Sequence, residues 1–311
     1  MSENIAVIGL GTMGGRAAAR LASQSNSVQG YDPDAKAQHS AEKAGIKVCA
    51  TAEEAIRGAK VIILSLPLPE HVRQVAHEVL VHAAPGTVVV DISTIDPATA
   101  REVAAQLLKH EVSYLDAPVL GRPDRCGKWT LVVGGSPDAL AQIRALLEAS
   151  IAATVVHFGE VGTGSVVKLL NNLMFGAINA ITAEALAICR AAMVDQSLFI
   201  QTVADSGAAT VSNLFRELAP RIATGDFEPT FTLNLLHKDN RLALHLAEEV
   251  GVPPFLASSI DLVNTVGLRA ALGTKDTGAI YKVYANPKIG TDSMGEPAST
   301  TVEYQHRKDL E

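Results

Sequence analysis

The sequence predicts an α/β fold in which an N-terminal doubly wound sheet is followed by an all-helical C-terminal domain. Three observations support this prediction. Short apolar runs alternate with helical runs through the first half of the chain, a glycine-rich turn follows the first run, and the alternation stops near residue 159. A chain of 311 residues is long enough for two domains. We therefore expect a first domain over residues 1–162, a second over 163–285 and a polar tail over 286–311.

Each element of the first domain is predicted from an apolar or helix-forming run that turn residues bound. The strands are expected at residues 5–9, 27–31, 47–49, 61–66, 87–92, 113–117, 129–134 and 153–158. The helices between them are expected at residues 13–23, 33–44, 52–57, 71–82 and 98–109. This alternation predicts a parallel sheet with helices on both faces.

The second domain has a different pattern. Residues 163–193 are rich in Ala, Leu and Ile and contain no proline, which predicts one long helix. The helical segments that follow it are expected to be separated at Gly207, Pro220, Pro229, Gly251 and residues 253–254.

Three glycines, spaced G-x-G-x-x-G, lie between the first predicted strand and the first predicted helix. In a Rossmann-type nucleotide-binding domain, the first glycine allows the tight turn and the second lets the backbone approach a pyrophosphate. The third lets the helix pack closely on the strand, and the helix N-terminus offers free N–H groups to the phosphates. The turn therefore predicts a dinucleotide site formed by Gly9, Leu10, Gly11, Thr12, Met13 and Gly14.

The next predicted strand leads to Asp32, 23 residues after Gly9. An acidic side chain at this point can accept hydrogen bonds from the ribose hydroxyls of the adenosine. Its carboxylate would repel the additional phosphate of NADP, so we predict NAD as the cofactor. NADP stays the alternative, because Lys36 or Arg16 could reach that phosphate.

The composition excludes several classes of function. A net charge of −7 and a pI near 5.7 argue against a basic nucleic-acid-binding surface. The three cysteines show no C-x-x-C or Cys/His spacing, so we predict no metal site and three free thiols in a reducing cytoplasm. No run of about 20 uninterrupted apolar residues is present, so no membrane-spanning segment is predicted.

Lys168 lies in an otherwise apolar part of the long predicted helix, with Asn171 and Asn172 three and four residues after it. Residues at these spacings share one face of a helix. A lysine held out of water can exchange a proton near neutral pH, as the oxidation of an alcohol requires. The alternative is that Lys168 extends to solvent and has no catalytic role.

Five ordered motifs between residues 4 and 285 resemble the β-hydroxyacid dehydrogenase family, which includes 3-hydroxyisobutyrate dehydrogenase and tartronate semialdehyde reductase. The first is the G-L-G-x-M-G turn at residues 9–14, and the second is D-x-S-T-x-x-P at residues 91–97. The others are D-A-P-V at residues 116–119, G-x-G-x-x-x-K-x-x-N-N at residues 162–172, and Lys238-Asp239.

The resemblance implies hydride transfer between a small β-hydroxy acid and its semialdehyde, in a homodimer or homotetramer formed through the second domain. It implies that Lys168 is the general acid/base and that Asn172 orients the lysine and the substrate. The remaining implied contacts are those of Thr94 and Lys238 with the nicotinamide end of the cofactor, Leu66 and Pro67 with its adenosine half, and Ser93 with the substrate.

Each of these contacts has a structural alternative. Ser93 or Thr94 could cap the helix that begins near Pro97, although Asp96 is the better cap. Leu66 and Pro67 could simply form the exit of a strand, and Asn171 could be an amide that packs between helices. Lys238 could be a surface lysine that pairs with Asp239.

The chain departs from the family's D-A-P-V-S-G-G pattern at one loop. Leu120 replaces the serine and Arg122 the second glycine, while Gly121 is kept. We expect Gly121 and Arg122 to contact the substrate, with the Arg122 guanidinium binding its anionic group. Alternatively, Arg122 points outward, caps the loop through backbone carbonyls, or pairs with Asp124. The single tryptophan, Trp129, could form a wall of the substrate pocket or belong to the core.

Two other functions are compatible with the sequence. The related imine reductases share the architecture but generally lack a lysine at the position of Lys168. The other alternative is a protein that binds a dinucleotide without catalysing a reaction. Nuclear members of the superfamily have that role, but they differ from the family pattern at the catalytic lysine and carry additional DNA-binding regions. The presence of Lys168 and Asn172 favours the dehydrogenase.

Overall fold

The computed structural model describes residues 4–24, 26–207, 210 and 212–286. Its contacts divide the chain into two compact units. The first consists of residues up to Met174 together with Asp239–Pro254, and the second of Phe175–Lys238 together with residues from Phe255 onward. The predicted tail at 286–311 lies outside the described residues except for Asn286, and the predicted domain boundaries stay predictions.

The first unit contains a nine-stranded sheet in the order β3-β2-β1-β4-β5-β6-β8-β7, with β9 paired to β8. The first six strands pair in parallel and β8–β9 is also parallel, which confirms the predicted fold class. The strands are β1 (Asn4–Ile8), β2 (Ser27–Tyr31), β3 (Lys47–Val48), β4 (Val61–Leu64), β5 (Val88–Asp91), β6 (Ser113–Asp116), β7 (Val119–Leu120), β8 (Trp129–Gly134) and β9 (Ala152–Gly159).

One edge of the sheet differs from the predicted parallel pattern. The short strand β7 was not expected from the sequence, and β8 runs antiparallel to both β6 and β7. Only residues 121–128 join β7 to β8, and they include a single 3₁₀ turn at Pro123–Arg125. A connection this short cannot cross over the sheet, so the two strands must be antiparallel.

Two buried apolar clusters cover the two faces of the sheet. Along β5, Val88 and Val90 belong to one cluster and Val89 to the other, because successive side chains of a strand point to opposite faces. The helices packed on these faces are α1 (Gly14–Ser23), α2 (Ala35–Lys43), α3 (Ala52–Ile56), α4 (Pro69–His82), α5 (Pro97–Leu108) and α6 (Pro137–Ser150), of which α6 was not assigned from the sequence.

The described remainder of the chain is helical, apart from a 3₁₀ turn at Thr277–Ile280 and an isolated bridge between Thr232 and Asp276. Its helices are α7 (Thr163–Ala191), α8 (Gln196–Asp205), α9 (Asn213–Thr224), α10 (Leu233–Glu249), α11 (Phe255–Arg269) and α12 (Tyr281–Ala285).

Pro220 was expected to separate two helices, but it lies inside α9. The buried face formed by Leu218, Ala219 and Ile222 stabilises the helix despite the hydrogen bond that a proline cannot donate.

The long helix α7 differs from the sequence prediction in one respect. By length and composition alone it could cross a membrane, although no membrane-spanning segment was predicted. Half of its most apolar 18-residue window is buried inside the protein, and the core helices of soluble proteins meet the same criterion.

Candidate active site

The glycine turn lies at the carboxyl end of β1, next to the carboxyl ends of β2 and β4. Gly9 has a φ of +92°, and a Cβ at this position would overlap the carbonyl oxygen of Ser65. A Cβ on Gly14 would overlap the carbonyl oxygen of Gly9. Both glycines are therefore required by the folded chain itself, which allows α1 to begin directly against the turn.

Gly11 is different, because a Cβ on it would meet no atom within 4 Å. The folded chain alone gives no steric reason for a glycine here, whereas a pyrophosphate approaching the backbone would. The first turn of α1 contains no acidic residue, and the N-cap Met13 provides no side-chain hydrogen bond. The open space and the uncapped N–H groups fit a dinucleotide phosphate.

Asp32 joins the end of β2 to this turn. One carboxylate oxygen accepts the N–H of Leu10 at 2.7 Å, and the other accepts the N–H of Asp34 at 2.8 Å. Each carboxylate oxygen can accept a further hydrogen bond, so these contacts are compatible with binding of ribose hydroxyls.

A buried hydrogen-bond network connects the carboxyl ends of β4 and β5 with a tyrosine of β6. Ser93 Oγ accepts the N–H of Leu66 at 2.8 Å, and Ser93 N donates to Asp91 Oδ1 at 2.9 Å. The Tyr114 hydroxyl donates to Asp91 Oδ2 at 2.7 Å. Burial raises the pKa of the Asp91 carboxyl, and its hydrogen bonds with Ser93 and Tyr114 oppose that shift. The network holds Leu66 and Ser93 against each other at this edge of the sheet.

The structure also decides which side chain caps α5. Asp96 Oδ1 accepts the N–H of Thr99 at 2.8 Å, so Asp96 is the cap, and not Ser93 or Thr94. Thr94 is half-buried and Pro67 is exposed at the neighbouring strand exit. Asp91 and Tyr114 were not selected from the sequence; the only signal for Asp91 was its place at the start of the D-x-S-T motif.

Asp116, at the end of β6, caps the first turn of α7. Its two carboxylate oxygens accept the N–H groups of Gly162 at 2.8 Å and Ser165 at 2.7 Å. Burial raises the pKa of this carboxyl, and the backbone hydrogen bonds lower it by less. The cap fixes the residue at which α7 begins. Lys168 therefore lies in the second turn of the helix, close to the end of β6.

Lys168 and Asn172 are both anchored within the first unit. Lys168 Nζ donates to the carbonyl oxygen of Val119 at 2.7 Å. Asn172 is buried, donates to Asp239 Oδ2 at 2.6 Å and accepts from Asn171 Nδ2 at 3.0 Å. Asp239 was matched only as part of a motif, and its contact with Asn172 was not foreseen. The predicted cofactor residue Lys238 is half-buried and belongs to the second unit.

The loop that departs from the family pattern is exposed at Gly121 and Arg122. Trp129 lies behind it with no exposed surface, as a member of a core cluster, and its indole N–H donates to the carbonyl oxygen of Arg122 at 2.7 Å. Among the described residues, no group of His, Cys, Asp and Glu side chains could hold a metal ion.

Comparison with known proteins identifies two family models along the chain. Residues 4–159 match the NAD binding domain of 6-phosphogluconate dehydrogenase. Residues 162–284 match a model described as NAD-binding of NADP-dependent 3-hydroxyisobutyrate dehydrogenase.

Individual relatives match over most of both chains. The 3-hydroxyisobutyrate dehydrogenase of Pseudomonas aeruginosa is 32% identical over 257 residues, covering 79% of this chain and 86% of the relative. The 3-sulfolactaldehyde reductase of Escherichia coli is 31% identical over 285 residues, covering 89% and 94%. A solved structure of Mycobacterium tuberculosis 3-hydroxyisobutyrate dehydrogenase with L-serine has a TM-score of 0.83 and 29% identity, covering 92% and 100%.

Proposed function

Because the chain belongs to the β-hydroxyacid dehydrogenase family, we propose that it transfers a hydride between a small hydroxy acid and its semialdehyde, with Lys168 as general acid/base. The observation that carries this proposal is the placement of Lys168. Its amine lies 2.7 Å from the carbonyl of Val119, at the start of the loop that this chain alters. The chain is thus an NAD(P)-dependent oxidoreductase acting on CH–OH groups.

The cofactor would be held by the glycine turn, where Gly11 leaves open space and the N-terminus of α1 faces no side-chain acceptor. We propose NAD rather than NADP, because the carboxylate of Asp32 disfavours a second phosphate on the ribose. When bound, the nicotinamide supplies the site that accepts or delivers the hydride. Leu66 and Pro67 are proposed to contact the adenosine half of the cofactor. Thr94 and Lys238 are proposed to contact its nicotinamide end.

In the oxidation direction, Lys168 takes the hydroxyl proton of the substrate as the hydride leaves, and in reduction it returns a proton to the new alcohol oxygen. The carbonyl of Val119 holds the amine in place between these steps. Asn172, fixed by Asp239, orients the lysine and the substrate from the same helix face. Ser93 and Gly121 are proposed to contact the substrate through a hydroxyl and a backbone N–H.

Arg122 is proposed to bind the anionic group of the substrate. A guanidinium offers two parallel N–H donors, which fit a carboxylate, a phosphate or a sulfonate. The exposure of Arg122 supports this role, since a substrate can reach it from solvent. The related proteins named above include both a carboxylate-substrate dehydrogenase and a sulfonate-substrate reductase, so a panel of probes with either anion is required.

Replacement of Lys168 tests the mechanism. Lys168→Ala should lower kcat by about 10²–10⁴-fold, the usual contribution of a general acid/base, while cofactor affinity and thermal stability are kept. The measurement is steady-state oxidation of 3-hydroxyisobutyrate and reduction of 3-sulfolactaldehyde, with Lys43→Ala, an exposed lysine of α2, as control. Turnover close to that of the wild type would remove Lys168 from the mechanism.

The choice of cofactor is tested at Asp32. The wild type should have a higher kcat/KM with NAD than with NADP, and Asp32→Ser should narrow that difference because the repulsive carboxylate is gone. The measurement compares both cofactors at a fixed concentration of the best substrate. A wild-type preference for NADP would overturn the proposed role of Asp32.

A homodimer or homotetramer is proposed on the basis of α7. Four large apolar side chains of this helix are exposed at spacings of four, seven and seven residues, so they form one stripe along it: Leu170, Met174, Ile181 and Ile188. A stripe of this kind is typical of helices that pack against another subunit. The proposed location is the cytoplasm, where free thiols such as Cys49, Cys126 and Cys189 stay reduced.

A further inference from the structure

The segment from Val119 to Arg122 is held at both ends by side chains from elsewhere in the first unit. At its start, the carbonyl oxygen of Val119 accepts a hydrogen bond from Lys168. At its end, the carbonyl oxygen of Arg122 accepts one from the indole N–H of Trp129 at 2.7 Å. Between these two anchors, β7 contributes a ladder only two residues long. The carbonyl oxygen of Arg122 also accepts the N–H of Arg125 at 3.1 Å, so Lys168 and Trp129 provide the two side-chain anchors of a loop that is otherwise held by backbone hydrogen bonds.

Trp129 also shapes the loop through its ring. A Cβ on Gly121 would lie 2.7 Å from Cδ1 of the indole, and Gly121 has a φ of +154°, which other residues rarely adopt. The ring therefore lies directly against the Cα of Gly121, and it is fully buried with the core cluster behind it. A ring that is packed from behind and hydrogen-bonded at its edge restricts the backbone positions open to Gly121 and Arg122.

We propose that Trp129 is a positioning residue for substrate recognition. Its indole holds Gly121 and Arg122 in the backbone arrangement from which the Arg122 guanidinium binds the anionic group of the substrate. Trp129 touches neither substrate nor cofactor in this role and acts through Arg122. The inference rests on the proposed function of Arg122, and it adds a determinant of substrate affinity that lies in the core.

The first test removes the N–H group and keeps an aromatic ring. Trp129→Phe should raise KM for 3-hydroxyisobutyrate about 3- to 10-fold, the factor expected for one lost hydrogen bond. The kcat should change less than about twofold, because Lys168 keeps its own anchor. The methyl ester of 3-hydroxyisobutyrate carries no charge, so its KM, or its inhibition constant if it is not oxidised, should stay unchanged.

A second replacement avoids any change of volume. Because Trp129 is the only tryptophan in the chain, growth on 3-benzothienyl-L-alanine replaces this one ring with an isostere that has sulfur in place of N–H. This protein should show the same rise in KM as Trp129→Phe. In the wild type, tryptophan fluorescence should change on addition of the acid, and in Arg122→Ala that change should be lost.

The controls separate the inference from its premise. Val133 lies on the same strand and is as fully buried as Trp129. Val133→Ala therefore removes side-chain volume from the same core, and it should lower the free energy of unfolding without changing KM. Combining Trp129→Phe with Arg122→Ala should give no more than the effect of Arg122→Ala alone, since both act through one group.

Three outcomes would overturn the inference. If Arg122→Ala affects the acid and the ester equally, the proposed anion contact fails, and the inference fails with it. If Arg122→Ala is selective for the acid but neither Trp129 replacement raises KM, only the inference fails. If the Trp129 replacements raise KM for acid and ester alike, or match the effects of Val133→Ala, then the tryptophan is a core residue without a positioning role.

Discussion

Two helices, α1 and α7, begin in the first unit at glycine-rich turns, and their N-termini differ in what occupies them. At α1 the turn G-L-G-T-M-G leaves the N–H groups without a side-chain cap, and Gly11 faces open space. At α7 the turn G-T-G-S-V-V-K receives the carboxylate of Asp116, which accepts the N–H groups of Gly162 and Ser165. The protein supplies its own anion at α7 and leaves the corresponding place at α1 for a ligand.

The glycines differ in the same way. A Cβ on Gly164 would overlap the carbonyl oxygen of Val132, so this glycine allows α7 to pack against β8. A Cβ on Gly11 would meet nothing within 4 Å. The spacing of glycines alone therefore does not distinguish a phosphate site from a tight helix contact; what occupies the first turn does.

The largest expected effect concerns the filled N-terminus. Asp116→Ala leaves two buried N–H groups without their acceptor, at a cost of about 1–3 kcal/mol each, so the free energy of unfolding should fall by about 2–6 kcal/mol. Urea denaturation measures this, and Asp116→Asn, which keeps one acceptor, should lose less. A loss below about 1 kcal/mol would mean that water can replace the carboxylate, and the contrast with α1 would disappear.

A matched pair of glycine substitutions tests the comparison directly. Gly164→Ala should destabilise the fold by about 1–3 kcal/mol, because its Cβ has no space. Gly11→Ala should leave the free energy of unfolding within about 0.5 kcal/mol of the wild type and raise the Kd of NAD about 10- to 100-fold, through lost phosphate contacts. Denaturation and cofactor titration of both variants are the measurements. If Gly11→Ala binds NAD as tightly as the wild type, the open turn of α1 is not a phosphate site.

The smallest expected effect is a pH dependence of stability at the N-terminus of α7. The N-terminus of α1 cannot show it, because no carboxylate caps that helix. Burial raises the pKa of the Asp116 carboxyl above its ordinary value of 3.8, so the folded chain holds this proton more tightly than the unfolded chain. Its contribution to stability is therefore complete below pH 3.8 and decreases as the pH rises through the raised pKa. The stability advantage of the wild type over Asp116→Asn should therefore shrink as the pH rises from about 4 through the raised pKa of this carboxyl. A constant difference would contradict this sign.

The sequence by itself determined the features that depend on neighbours in the chain. The strand–turn–helix order around Gly9, Gly11 and Gly14 predicts the nucleotide-binding turn, and the alternating apolar runs predict the doubly wound sheet. Asp96 was correctly favoured as a helix cap, because a capping side chain and the N–H group that donates to it are only three residues apart.

The tertiary structure decided the contacts that join distant parts of the chain. The carboxylate of Asp116 meets the start of α7 46 and 49 residues later, Lys168 meets Val119 across 49 residues, and Asn172 meets Asp239 across 67. The periodicity of apolar residues does not predict such pairs, because it indicates which face of an element is buried and not which other element covers that face. For the same reason, the sequence did not distinguish between Trp129 as a pocket wall and Trp129 as a core residue. The tertiary structure places its ring in the core behind the loop, with its N–H donating to the carbonyl oxygen of Arg122.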